Sequence, residues 1–449
     1  MAAAGSDELA WMTLEQAADM VRRRKVSPVE LTQACLRRIE KLNPSLDAFI
    51  TVTAEAALLQ ARAAEKTPAR SPLHGIPIAL KDLYDTAGVK TTAASQQYAD
   101  RVPAEDADVV RTLKAAGAVI LGKLNMDEFA YNFTGESSYF GVCRNPWDKS
   151  RSPGGSSGGS AVAVATGMCY GALGSDTGGS IRLPASFCGI TGLKPTYGKI
   201  GARGVTPLAW SLDHVGPMCR TARDAAIMLG AMASGEATNR GLKSIRLGVP
   251  RVPFYEQLDA EVDRAMVEAL KELTRLTAGA NDVTLPVLTP SPELPFFPRV
   301  YHQVITAEAY AFHEEMIKRQ PDRYHPMIRS NIQFGAAVSA GDYIRARREL
   351  ERLREESGVL FEKADLLITP TAHAPALELG KPATLLYLRN TAPWNLYGLP
   401  TISIPCGLTA SGLPIGMQIT GRRGADDLVL ALAGAYQKVT GWHAKRPLL

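Results

Sequence analysis

The sequence has no CxxC pair, no large one-signed charge field and no internal repeat. It also has no apolar run approaching the length of about 18 residues that a membrane-spanning helix needs. Each absence excludes something. The six cysteines (Cys35, Cys143, Cys169, Cys188, Cys219, Cys406) are scattered, and none pairs with another Cys or with a His at zinc-ligand spacing. Buried free thiols are therefore expected, with no disulfide framework and no metal site. Without a spanning segment, no membrane association is expected. The 50 basic and 45 acidic residues are intermixed, so a net charge of +5 offers no one-signed surface for nucleic acid. The first ten residues carry neither a basic n-region nor an apolar h-region, which points to a cytoplasmic chain. What remains is 449 residues, 46% hydrophobic and 21% charged, near globular averages and long enough to bury a core without staples.

Residues 13–65 read as helical. Thr13-Leu-Glu-Gln16 and Ser27-Pro-Val-Glu30 both fit a capping box, with Pro28 at the first helical position. The basic run Arg22–Lys25 closes the first of these helices, where cations complement the dipole. From residue 73 strands alternate with helices. Ile76–Leu80 and Val119–Leu121 are strands, a helix covers 105–116 with Gly117 as its stop, and further strands are expected at 170–174, 245–249, 365–369, 401–405 and 415–419. Such alternation argues an α/β sheet covered on both faces. Residues 255–360 read as mainly helical, with Pro/Gly-rich loops near 284–298 and 370–382. We expect one domain over 1–449, built as N-terminal helices (1–65), a catalytic core (70–230) and a helical insertion or cap (255–360).

The densest signal runs from Ser152 to Gly192. Residues 154–160 are all Gly or Ser, the composition of a flexible linker, yet the apolar stretch Ala161–Met168 follows directly, and a second Gly-Gly-Ser lies at 178–180. Gly154-x-Ser156-x-Gly158 matches a nucleophile elbow, but the charged, proline-containing residues before it supply no buried strand. Gly117-x4-Gly122-Lys123 resembles a phosphate loop, but Leu124 replaces the Ser/Thr and the spacer is apolar. An anion-binding nest at 154–160 stays open, without a lysine to complete it. None of the seven histidines sits in an informative motif. Lys81 ends the apolar strand, so burial would lower its pKa; half-neutrality near pH 7 would cost roughly 4.6 kcal/mol. A catalytic base and a structural pairing with Asp82 or Asp176 are equally compatible with that position.

Taken together, several runs resemble the amidase signature family. They are Gly154–Ala165, Gly174-Ser-Asp-Thr-Gly-Gly-Ser-Ile-Arg182, Pro184-Ala185 and Cys188-Gly-Ile-Thr-Gly-Leu-Lys-Pro195. The similarity extends through His74–Asp82, Asn145–Asp148, Ser211-Leu-Asp213, Gly216-Pro217, Asp365–Thr371 and Gly398–Thr401, essentially the whole chain. The resemblance implies an α/β/α sandwich with a mixed, twisted central sheet and a Ser-cisSer-Lys triad. By motif, Ser180 is the nucleophile, Ser156 the bridging serine held through a cis peptide, and Lys81 the base. It also implies an oxyanion hole from the backbone N–H groups of Thr177, Gly178, Gly179 and Ser180, no cofactor, and scaffold roles for Asp176 and Arg182.

Within the family, Asn125–Gly141 aligns with a segment that lines substrate channels. This makes Ala130 and Tyr131 substrate-binding candidates, with Phe133 and Trp210 beside them. Aromatics there would favour an aryl or apolar amide, or a carbamate (urethane), cleaved by a monomer or homodimer. The rival is the glutamine-hydrolysing component of a tRNA-dependent amidotransferase, which Asn125-Met-Asp-Glu-Phe129 and Gly174–Tyr197 also resemble. The Arg-Tyr-Asp-Gly stretch that holds glutamine in that branch has no counterpart in 320–350, and Gly201–Trp210 departs from its usual Tyr-Gly-Leu-Val-Ala. A free-standing amidase is the preferred expectation.

Overall fold

A computed structural model describes residues 6–233, 241–293 and 297–449. Residues 1–5 of the N-terminal reading, and 294–296 of the loop expected near 284–298, lie outside the described residues. Among the described residues, eleven strands form one sheet: β1 Phe49–Val52, β2 Pro77–Lys81, β3 Val119–Leu124, β4 Gly171–Asp176, β5 Thr191–Lys194, β6 His214–Cys219, β7 Leu247–Val249, β8 Ala280–Asp282, β9 Leu366–Pro370, β10 Thr401–Leu408 and β11 Pro414–Gly421. Their order is β1-β3-β2-β4-β6-β5-β10-β11-β9-β7-β8. β2 runs parallel to both β3 and β4, β7 parallel to β8 and β9, and the remaining pairs are antiparallel, so the sheet is mixed.

Helices cover both faces. On β4, a side chain at Gly171 would meet Met228 of the helix Ala222–Met232. Three residues on, and therefore on the opposite face, one at Gly174 would meet Ser157 and Ile181. Strands enclosed in this way carry continuous apolar runs, as Ile78-Ala79-Leu80 does with every residue buried. The fold is the expected α/β architecture. All six cysteines are buried and unpaired. Among the described residues, no helix is long and apolar enough to cross a membrane.

Both capping boxes form. Thr13 Oγ1 accepts from Gln16 N at 3.1 Å while Gln16 accepts from Thr13 N at 2.9 Å, and Ser27 and Glu30 do the same at 3.1 and 2.7 Å. The helical reading of 13–65 is interrupted, however. The helix Pro28–Leu46 ends at Asp47 in the left-handed region, and β1 follows, paired with β3. Residues 255–360 likewise contain the edge strand β8. Both strands are too short for periodicity to reveal, and their pairing partners lie far away in sequence.

Three elements position the site. Lys81 is the last residue of β2, the Gly/Ser run leads into the helix Gly158–Ala165, and residues 177–181 join β4 to the helix Arg182–Cys188. These two helices are buried throughout and pack on one another. The helix Arg299–Arg319 packs with Pro326–Phe334 and Ala340–Glu355, and carries Tyr301, Ile305 and Thr306 to the cavity beside Ser180.

Candidate active site

Lys81 is fully buried at the end of β2. Its Nζ lies 2.6 Å from Ser156 Oγ and 2.8 Å from Ser175 Oγ, both neutral hydroxyls. Neither carboxylate weighed as a structural partner takes it. Asp82 pairs instead with buried Lys123 at 3.3 Å and accepts from the Thr92 backbone and hydroxyl, while Asp176 pairs with Arg182. Burial pushes the Lys81 ammonium down from 10.5 to about 7; Asp127, Asp176 and Asp213 pull it only partly back. Near neutral pH the amine is thus divided between its two protonation states, in contact with a serine hydroxyl. That arrangement can accept a proton without carrying a permanent charge.

The Gly/Ser run is buried, ordered backbone and not a linker. The Gly155–Ser156 peptide bond is cis, and Ser156 O accepts from Asp127 N at 3.2 Å. Asp127 in turn accepts from Gly135 N and from both Ser137 N and Oγ, which ties the 125–137 segment to Ser156. A Cβ at Gly155 would stand 1.9 Å from Asp127 Oδ2, so only glycine permits this approach. Ser157 connects the run to both neighbours: its N donates to Ser180 O at 3.3 Å and its Oγ to Ser175 O at 3.2 Å.

Ser180 retains 8% exposure at the end of the turn after β4. Among the described residues, the backbone N–H groups of Thr177, Gly178, Gly179 and Ser180 donate to no internal acceptor, so four successive donors stand beside the Ser180 hydroxyl. Unpaired, preorganised donors of this kind suit a developing oxyanion. The turn is held from below. Arg182 forms a two-point pair with Asp176 at 2.8 and 3.0 Å and also reaches Asn395 Oδ1, Gln418 Oε1 and Thr391 O. Burial alone would raise the Asp176 carboxyl, but the adjoining guanidinium outweighs it and holds the group well below the usual carboxylate range. From the side, Thr177 Oγ1 donates to Asp213 at 2.6 Å and Thr391 Oγ1 to Gly178 O at 2.5 Å. Gly179 has φ +144°, and a Cβ there would lie 2.4 Å from Thr391 Oγ1.

A cavity of about 560 Å³ opens onto Ser180, Thr177 and Gly178. Ala130, Tyr131 and Phe133 line it, together with Leu208, Phe297, Tyr301, Ile305 and Phe334. Trp210 does not line it. Its side chain is 46% exposed, because the 206–213 loop turns inward at Leu208 and Asp213 instead, whose carboxylate accepts from Leu208 N and Ala209 N. Among the described residues, no lysine or arginine is in the lining and Glu293 is its one carboxylate; burial holds His302 below its ordinary value. Gly122-Lys123 is no phosphate loop either, being part of β3 with the lysine turned to Asp82. Sequence reasoning missed Ser175, although it adjoins Asp176 in the quoted motif, and Tyr301 and Thr391, which no local pattern marks.

The amidase family model matches residues 30–430. The chain is 39% identical to the A component of glutamyl-tRNA(Gln) amidotransferase from Roseiflexus sp. (strain RS-1), over 97% of this chain and 98% of that protein. Among solved structures it resembles an amidase at 34% identity and TM-score 0.87, covering 95% of this chain and 99% of that one. It also resembles 6-aminohexanoate cyclic dimer hydrolase at 29% identity and TM-score 0.88, covering 98% and 99%.

Proposed function

The chain belongs to the amidase family of C–N hydrolases, and from that premise we propose that it cleaves neutral aryl or apolar amides and carbamates with Ser180 as nucleophile. In this reading neutral Lys81 takes the Ser156 proton as Ser156 takes the Ser180 proton. Ser180 Oγ then bonds to the carbonyl carbon, and the carbonyl electron pair moves onto oxygen, facing the N–H groups of 177–180. Collapse re-forms the carbonyl and breaks the C–N bond, while the proton returns from Lys81 through Ser156 to the departing nitrogen. Water, deprotonated by the same relay, then hydrolyses the acyl-enzyme.

The observation that carries the substrate class is the cavity lining. It is mainly aromatic and aliphatic, with Asn132, Asn331, Glu293 and His302 among its polar members, and among the described residues no lysine or arginine is placed to hold a carboxylate, as a bound glutamine would require. A second reading, the glutamine-hydrolysing component of a tRNA-dependent amidotransferase, is favoured by the whole-length similarity to a protein of that name. One experiment separates them. The purified chain alone should release amine from an aryl amide or aryl carbamate and carry a sulfonyl-fluoride adduct on Ser180, with both lost in Ser180→Ala. Turnover only of glutamine, and only with added partner proteins, would reverse the assignment.

A further inference from the structure

Tyr301 lies outside the signature motifs, yet its hydroxyl packs against the turn that bears Ser180. A Cβ built on Gly178 would fall 2.1 Å from the Tyr301 hydroxyl oxygen, so the phenol occupies the space that a side chain at 178 would fill. The residue is 5% exposed and lines the same cavity as Ser180. Its ring is fixed by stacking on Phe297, centroids 4.9 Å apart and planes 12° from parallel. Burial pushes the phenol well above its ordinary pKa, so it is a protonated donor at neutral pH.

That donor has no acceptor of its own. Among the described residues Tyr301 makes no hydrogen bond, and the adjacent Gly178 carbonyl already accepts from Thr391 Oγ1. The phenol oxygen is not enclosed by protein, because Tyr301 lines the cavity, so the hydroxyl is free to donate to whatever occupies that space. Its acceptor is what fills the cavity, water in the free protein and a ligand atom when one is bound. In the mechanism proposed above, the scissile carbonyl oxygen would face the N–H groups of 177–180 and the leaving nitrogen the Ser156–Lys81 relay. In that pose the substituent that meets Tyr301 is the one on the acyl side of the carbonyl. In an amide its first atom is carbon; in a carbamate it is an oxygen with a free lone pair.

We propose that Tyr301 is a specificity-determining residue whose hydroxyl donates to the alkoxy oxygen of a carbamate, so that the cavity favours RO–CO–NH–aryl substrates over amides of the same shape. This rests on the assignment of Ser180, Ser156 and Lys81 made above. The test compares the methyl carbamate and the propanamide of one chromogenic aryl amine, which differ by an oxygen in place of a CH₂, in the wild type and in Tyr301→Phe. The carbamate-to-propanamide ratio of kcat/KM should fall roughly 3- to 10-fold in the variant, the range expected for one neutral hydrogen bond. Because both substrates are measured on one preparation, any loss of folded protein cancels in the ratio. An unchanged ratio, with both substrates turned over, would overturn the role of Tyr301 and leave the hydrolase assignment standing. Release of the amine from neither substrate by the wild type would overturn both.

Discussion

Replacing Lys81 with methionine should sharply reduce turnover and make the protein more stable near neutral pH, and the size of that gain should depend on pH in a calculable way. Burial lowers the ammonium from 10.5 in the open chain to about 7 in the fold. Between those values the unfolded chain binds a proton that the folded chain does not, so wild-type stability rises with pH across that window and is flat below it. Relative to a side chain that does not titrate, Lys81 costs the fold on the order of 4 kcal/mol at pH 7 and about 1 kcal/mol near pH 9.5. Methionine removes that cost and keeps an unbranched apolar stem. It also strips the amine from the hydroxyls of Ser156 and Ser175, a loss of roughly 2 kcal/mol for the pair. The expected net effect is a variant about 2 kcal/mol more stable than the wild type at pH 7 and about 1 kcal/mol less stable near pH 9.5.

Denaturant unfolding of both proteins at the two pH values measures this directly. The swing of about 3 kcal/mol between them does not depend on what the orphaned hydroxyls cost, because that loss is common to both conditions. Turnover should fall by roughly 100- to 10,000-fold, the usual contribution of a general base. A stability difference equal at both pH values would mean that Lys81 does not change protonation in this range on folding. The relay through a neutral amine would then be wrong.

The pH–rate profile gives a second test: kcat/KM should rise with pH to a plateau with its midpoint near 7, as Lys81 becomes neutral. Ser175→Ala removes one of the two hydroxyls that accept from the ammonium, so it should shift that midpoint to lower pH with only a modest loss at the plateau. An unmoved midpoint would count against a role for Ser175. Arg182→Met would leave the Asp176 carboxylate buried without its cation, and should cost roughly 3–5 kcal/mol of unfolding free energy. A loss below about 1 kcal/mol in denaturant titration would contradict the reading of that pair as the brace beneath the 177–180 turn.

How much was legible beforehand follows from the range of each interaction. The capping boxes at Thr13 and Ser27 were readable because both partners lie three residues apart on one helix turn. β2 was readable, and with it the burial of Lys81, because an uninterrupted apolar run implies a strand covered on both faces. What could not be read was which partner each buried charge would take. Lys81 had Asp82 next to it, yet it turns to Ser156 and Ser175, because β2 lies beside β4 in the sheet and Asp82 is engaged by Lys123 from β3. β1 and β8 escaped for a related reason: strands of three or four residues exist only because a distant neighbour offers an edge.

The primary sequence alone determined the class of fold, the residue types available for chemistry, and the glycines at 155 and 179 whose absent side chains let backbone and ligand-facing groups close in. Only tertiary structure decided that the wall of the cavity includes Tyr301 and excludes Trp210. Local sequence encodes torsion preferences and one-turn contacts. The inner wall of a cavity is instead set by the packing of elements far apart in the chain, here the 177–180 turn against the helix Arg299–Arg319.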